Sequence, residues 1–221
     1  MDLNEAMRAR HSVRKYEDRP IEGEALDGLN DLIADCNRAS GLNIQLCIDE
    51  PDAISGFLAT YGRFRNVRNY IALVGKSDDS LEEKCGYFGE KIVLEATRLG
   101  LSTCWIAGTY RKGKAAATVR PGEKLLMVIA IGYGAETGSP HKTKAIKQLS
   151  SVHGDMPDWF RLGMEAVQLA PTAMNQQRFR FELEGGFVKA VALPGPYVKT
   201  DLGIAKCHFE LGAGEDGWRY A

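Results

Sequence analysis

Two nearly unbroken apolar runs, Tyr70 to Val74 and Lys124 to Tyr133, constrain this chain more than any other feature. A strand with one face in water alternates apolar and polar side chains, so a run without alternation predicts a strand covered on both faces. The covering layers are readable on either side. Asp2 can cap a helix from Leu3 to Arg10, the Asp18-Arg19-Pro20 run breaks the chain, and Gly23 to Asn37 carries Leu26, Leu29, Leu32 and Ile33 at helical spacing. Ile44 to Ile48 alternates like an outer strand, Ser80 to Leu99 is a helix stopped by Gly100, and Leu101 to Ile106 is a further short strand. The polar stretch from Thr137 to Asp155 reads as a connector. After it come a helix from Trp159 to Leu169, strands from Arg178 to Leu183 and Val188 to Leu193, and a helix from Asp201 to Leu211. The expected class is α+β, with helices packed around a mixed sheet.

Composition narrows the classes of function. The 28 basic and 29 acidic residues nearly cancel, so no global field draws the chain to nucleic acid or an anionic membrane, and any anion site must be local. No run approaches the ~20 apolar residues needed to span a bilayer. The first turns, with Asp2, Glu5, Arg8 and Arg10, lack the apolar stretch of a signal peptide. The five cysteines show no CxxC spacing, and buried thiols are expected rather than disulfides or a metal site. A cytoplasmic, soluble protein is the expectation.

An internal echo lies beneath this order. Ala39-Ser40-Gly41-Leu42-Asn43-Ile44-Gln45 follows a helix and leads into a strand, as does Pro171-Thr172-Ala173-Met174-Asn175-Gln176-Gln177. Aligned without a gap, Asn43 falls on Asn175, Gln45 on Gln177, and Ala34 on Ala166 in the preceding helix. Helix-loop-strand units also resemble one another by chance. A genuine repeat makes residues 1–150 one complete unit and 151–221 a trimmed copy.

Three clusters can carry chemistry. Arg10-His11-Ser12-Val13-Arg14-Lys15 sets planar, permanently charged guanidinium forks beside a short hydroxyl, the groups a phosphate cradle uses together, although a solvated basic patch has the same composition. Lys142 and Lys144 point the same way if the segment is extended, which suits a clamp on one anion. Leu101 to Gly108 ends an apolar strand in small residues, where backbone can approach a flat ligand or simply turn away. No Ser-His-Asp set, HExxH helix, GxGxxG or phosphate-binding GxxxxGK[ST] loop is present. His153 and His208 stand alone and read as structural.

Taken together, Arg10-His11-Ser12-x-Arg14, Gly100-Leu101-x-Thr103-Cys104-Trp105, Ile131-Gly132-Tyr133 followed by Lys142-x-Lys144, and Ala170-Pro171-Thr172-Ala173-x-Asn175-x-Gln177 resemble the nitroreductase family of FMN enzymes. The resemblance implies non-covalent FMN, with Arg10, Ser12, Lys142 and Lys144 on its phosphate and ribityl chain and His11 beside them. It implies that Arg14 faces the N1 and C2 carbonyl edge, where reduction deposits negative charge. Ile106, Ala107 and Gly108 would lie near N5, and Asn69 would contact the pyrimidine edge. It implies ping-pong transfer from NADH or NADPH to a small organic acceptor such as a nitroaromatic, quinone or flavin, with no catalytic side chain acting as acid or base.

The family's Pro-Ser/Thr-x-x-Asn-x-Gln loop ordinarily comes early and reaches the flavin of a partner subunit. Here the early copy, Ala39 to Gln45, has lost its proline, and the complete copy, with Pro171, Thr172, Ala173 and Asn175, comes late. The pattern resembles a fused pseudo-dimer, which implies one FMN per chain and a monomer. The competing class is a non-catalytic protein that binds flavin or a phosphorylated ligand on the same fold.

Overall fold

The computed structural model describes residues 1–214 and 218–221. Its elements are α1 (Leu3–Ala9), α2 (Glu24–Ser40), β1 (Gln45–Cys47), α3 (Gly56–Tyr61), β2 (Asn69–Lys76), α4 (Leu81–Arg98), β3 (Ser102–Ile106), β4 (Glu123–Gly132), α5 (Ile146–Leu149), β5 (Ser150–Val152), α6 (Asp158–Val167), β6 (Phe179–Glu184), β7 (Phe187–Ala192), α7 (Val198–Ala213) and β8 (Arg219–Tyr220). They fall into two compact units. The first holds residues 9–81 and 92–140; the second holds 1–8, 82–91 and 141–221.

In the first unit the strands lie in the order β1-β2-β4-β3, every pair antiparallel. The two apolar runs occupy the centre of this sheet, as their lack of alternation requires. Tyr70, Ile71, Ala72, Leu73 and Val74 are all buried, as are Val128, Ile129, Ala130 and Ile131. One face packs Tyr70, Ala72, Val74, Val128 and Ala130 with Val13, Tyr16, Phe64 and Tyr110 from the surrounding segments. The Tyr70 hydroxyl takes a hydrogen bond from the Ala116 N–H at 2.7 Å, tying the loop before β4 to that face.

The second unit has its own sheet, β5-β6-β7-β8, in which β6 and β7 are antiparallel and both outer pairings are parallel. The single mixed sheet expected from sequence is therefore two sheets, the first wholly antiparallel. The connector is also more structured than expected: it contains α5 and β5, and β5 runs parallel to β6 from Ser150 to Val152.

Phe209 of α7 organises this second core. Its ring stacks on Phe181 at 5.0 Å and meets Phe160 and Trp159 edge-on at 5.5 and 6.5 Å. Residues 82–91 of α4 lie against α7 without side chains between the backbones. A Cβ at Gly86 would stand 2.1 Å from the Thr200 carbonyl oxygen, and one at Gly203 would stand 2.0 Å from that of Glu83. His208, fully buried, uses both ring nitrogens at this contact. Its Nδ1 donates to the Ala166 carbonyl at 3.1 Å and Nε2 lies 2.9 Å from Glu90 Oε1. The structural reading of His208 follows from those partners.

Among the described residues all five cysteines are buried and none is bridged, no group of acidic, His or Cys side chains is arranged to hold a metal ion, and no helix is long and apolar enough to cross a membrane.

Candidate functional site

In the first unit the Arg10 to Tyr16 segment leaves α1 as an extended run. Ser12 bridges Thr103 in parallel, and the Val13 N–H donates to the Thr103 carbonyl at 3.0 Å. Further along, the Tyr16 N–H donates to the Arg65 carbonyl at 3.1 Å, and the Tyr16 hydroxyl donates to the Val13 carbonyl at 2.8 Å. Val13 and Tyr16 turn into the core while Arg14 and Lys15 between them stay exposed, so the run does not alternate as a regular strand would. Arg10 itself is buried. His11 and Ser12 are half-buried, and Gly138 lies so close that a Cβ there would meet His11 Cβ at 2.8 Å. Burial, with the neighbouring Arg10 charge, lowers the His11 pKa and favours the neutral ring. Lys15 is committed to Glu136 at 2.7 Å. Of the cations counted in sequence, Arg14 is thus the one turned toward a hollow.

That hollow is a cavity of about 410 Å³, lined by Arg14, Phe64, Trp105, Ile106, Ala107 and Thr109 together with the Tyr61 to Arg63 turn. The Arg14 guanidinium carbon stands 6.0 Å from the centre of the Phe64 ring. The β3–β4 ladder ends at the Ile106–Val128 pair, so Ala107 and Gly108 lie in the bend past the last rung. Thr103 Oγ1, buried in β3, has no hydrogen-bond partner among the described residues. Of the first-unit residues expected at a flavin site, Arg14, Ile106 and Ala107 share this cavity, whereas Arg10, His11, Ser12, Asn69 and Gly108 do not line it. Asn69 opens β2, and its Oδ1 accepts the Asp49 N–H at 2.9 Å.

In the second unit the loop from Pro171 to Gln177 is held in a sparsely populated backbone shape. Met174, Asn175 and Gln177 all have positive φ, near 52°, 53° and 46°. Such residues are costly unless their surroundings fix them. Here the surroundings do. Asp201, 2% exposed in the first turn of α7, accepts the Ala173 N–H at 2.9 Å and the Gln176 amide at 2.8 Å. Asn175 Nδ2 and Gln177 Nε2 both donate to the Lys142 carbonyl at 2.8 Å, and Thr172 Oγ1 accepts the Gln177 N–H at 3.2 Å. Burial pushes the Asp201 carboxyl up to about 6, against those two donors.

Lys142 and Lys144 lie beside this loop, but the segment is irregular, so they do not act as a matched pair. Lys144 Nζ donates to the carbonyls of Gln176 and Gln177 at 2.8 and 2.9 Å, while the Lys142 side chain is exposed.

The early copy of the loop, in the first unit, repeats the amide arrangement. Asn43 Nδ2 and Gln45 Nε2 converge on the Thr118 carbonyl at 3.1 and 2.8 Å, as Asn175 and Gln177 converge on that of Lys142. Gln45 Oε1 accepts the Thr118 N–H at 2.8 Å, and Gln177 Oε1 accepts the Lys144 N–H at 2.9 Å. Backbone shape separates the copies: Asn43 and Gln45 keep negative φ, and only Gly41 in that stretch is left-handed.

Sequence reasoning missed the aromatic wall of the cavity, although Trp105 stood inside a quoted motif and Phe64 follows the Gly62-Arg63 turn. It also missed Asp201, whose signal was an acidic residue at a helix start.

No curated protein matches the chain. Among solved structures, a "putative nitroreductase" from Thermotoga maritima superposes with a TM-score of 0.67 at 23% identity, covering 96% of this chain and 83% of that one. A "putative nitroreductase in complex with FMN" from Desulfovibrio desulfuricans gives 0.54 at 19% identity, over 71% of this chain and 99% of the other. These likenesses establish the α+β fold. The family model described as "Putative TM nitroreductase" matches residues 2–213, and the chain therefore belongs to that nitroreductase family.

Proposed function

We propose that the protein is an FMN-dependent oxidoreductase that passes hydride from NAD(P)H to a small organic acceptor by a ping-pong mechanism. The observation that carries this reading is the cavity in which Arg14 faces the end of β3 at Ile106 and Ala107. At about 410 Å³ it lies within the size range of small-molecule sites and is lined by a cation and by backbone past a ladder end. The residues suit a flavin ring. Bound FMN would supply the hydride chemistry, which is why no acid, base or nucleophile need be sought among the side chains.

Arg14 would hold a positive charge where reduction deposits a negative one, an electrostatic contribution that needs no rearrangement during the reaction. The amides of Ala107 and Gly108 would donate from the bend, and Phe64 and Trp105 would exclude water from the ring. Arg10, with His11 and Ser12, belongs in this proposal to the phosphate and ribityl side, and Asn69 to the pyrimidine edge. Lys142 would meet phosphate directly. Lys144 would act through the loop it fastens.

The proposal includes a pseudo-dimer: residues 151–221 are a trimmed copy of 1–150 and supply, through Pro171, Thr172, Ala173 and Asn175, the loop a partner subunit would otherwise lend. The matched convergence of Asn43 with Gln45 and of Asn175 with Gln177 supports it, as does the grouping of the described residues after 140, together with 1–8 and 82–91, in one compact unit. One FMN per chain and a monomer near 24.3 kDa follow.

The test is spectroscopic. Protein reconstituted with FMN should be yellow, should bleach anaerobically on adding NADH or NADPH, and should recover colour with a quinone or nitroaromatic. Arg14→Ala should retain FMN at least tenfold less tightly, a loss of about 1.4 kcal/mol or more. Protein that binds FMN but is not bleached would be a flavin binder without turnover, and unchanged affinity in Arg14→Ala would remove Arg14 from the site.

A further inference from the structure

The second unit contains a larger hollow that the proposed flavin chemistry does not use. It has a volume of about 630 Å³ and lies between residues 82–91 of α4, the C-terminal half of α7, and β8. Its walls are unlike those of the first cavity. Tyr87, Trp218 and Tyr220 line it with Leu211, and Lys91, Glu210 and Arg219 bring charge to the same space.

Three polar groups there have specific states. Lys91 Nζ stands 4.7 Å above the Tyr87 ring and 5.8 Å from that of Phe88, and among the described residues it forms no ion pair, unlike neighbouring Lys206, which is bound to Glu83 at 2.5 Å. The Tyr220 hydroxyl oxygen is buried and has no hydrogen-bond partner among the described residues. A buried hydroxyl left in this way calls for a partner from outside that set. Glu210 accepts the Tyr87 hydroxyl, and burial raises its pKa against the opposing charges of Lys91 and Lys206.

Aromatic walls, an ammonium with no carboxylate in ion-pair contact and a phenol with no hydrogen-bond partner, both among the described residues, converge on one kind of ligand. We propose that this cavity is a second binding site, for a planar aromatic carboxylate whose ring lies among Trp218, Tyr220 and Leu211 and whose carboxylate meets Lys91 and the Tyr220 hydroxyl. The ring supplies apolar burial, and the charge-assisted contact to Lys91 supplies orientation. A cation of the same shape would be repelled by Lys91. The site rests only on residues of the second unit and is independent of whether FMN binds.

The experiment is calorimetric titration of FMN-treated protein with 2-naphthoate and with 2-naphthylmethylamine, which share a ring system and differ in charge. Naphthoate is expected to bind one site saturably and the amine not to bind. Lys91→Met should weaken naphthoate at least tenfold, Lys91→Arg should restore most of the affinity, and Tyr220→Phe should weaken it about threefold, the scale of one hydrogen bond. Far-UV circular dichroism of each variant shows that the fold is kept. Equal binding of acid and amine, affinity indifferent to Lys91→Met, or no naphthoate binding in the parent protein would each overturn the assignment.

Discussion

Replacing Asp201 by Asn should flatten the pH dependence of stability between about pH 4 and pH 6. Asp201 is buried, and its carboxyl is raised from the ordinary 3.8 to about 6 because burial outweighs the hydrogen bonds from Ala173 and Gln176. The folded chain therefore holds this proton more tightly than the unfolded chain does. Between the two values the unfolded state binds fewer protons, so stability is greatest below the unfolded pKa and is lost as pH rises toward the folded one. At about 1.36 kcal/mol for each pH unit of displacement, the whole loss is about 3 kcal/mol. The substituted side chain is neutral throughout and keeps an oxygen for the Ala173 N–H, but turns an amide toward Gln176, at a cost of about 1 kcal/mol. Urea denaturation at pH 4, 5, 6 and 7 measures the difference. The parent protein should lose about 3 kcal/mol that Asp201→Asn does not lose, leaving the variant the more stable protein at pH 7. Parallel curves for the two proteins across that range would refute the reasoning.

Gly203→Ala forces a methyl group onto the Glu83 carbonyl, which belongs to helix backbone and cannot turn aside, so a loss of about 3 kcal/mol or more and a lower Tm are expected; an unchanged Tm would mean that α4 and α7 do not meet as closely as described. Gln45→Leu and Gln177→Leu each leave a loop N–H without its side-chain acceptor and take one of two amide donors from a loop carbonyl, and each should cost about 1–3 kcal/mol. Only Gln177→Leu should also release FMN, measured by ultrafiltration, because only the later copy is assigned to the flavin; equal release from both would break that assignment. Static light scattering at low concentration should give a mass near 24.3 kDa, and twice that mass with flavin held between chains would replace the pseudo-dimer by an ordinary one.

The central strands and the long helices were legible because burial writes itself into period: β2 and β4 lack alternation, and α2 carries its apolar stripe. The elements that sequence did not reveal are those too short to show a period. The strand β5 has three residues and β8 has two, and α3 leaves Phe57 and Tyr61 exposed, so none displays a buried stripe. The division into two sheets was also hidden, since strand partnership is a non-local choice that no window of sequence contains. At the candidate site, the chemical types were visible and their directions were not. Lys142 and Lys144 were expected to point together on the premise of extended backbone, but the segment is irregular and the Lys144 ammonium is drawn to two loop carbonyls. Arg10 and Arg14 look equivalent in sequence, yet the pairing of this run with β3 buries one and leaves the other facing the cavity.

The parallel bridge between Ser12 and Thr103 has a further consequence. The strand β3 ends its sheet, and a terminal strand with bare amides and carbonyls is a template on which another copy of the chain can add itself. Ser12 and Val13 cap that margin at Thr103, and the next residue, Arg14, bears the guanidinium assigned to the ligand. Selection for binding and selection against self-assembly therefore act on one handful of residues, and a truncation meant only to abolish the first would be expected to produce fibrils or precipitate.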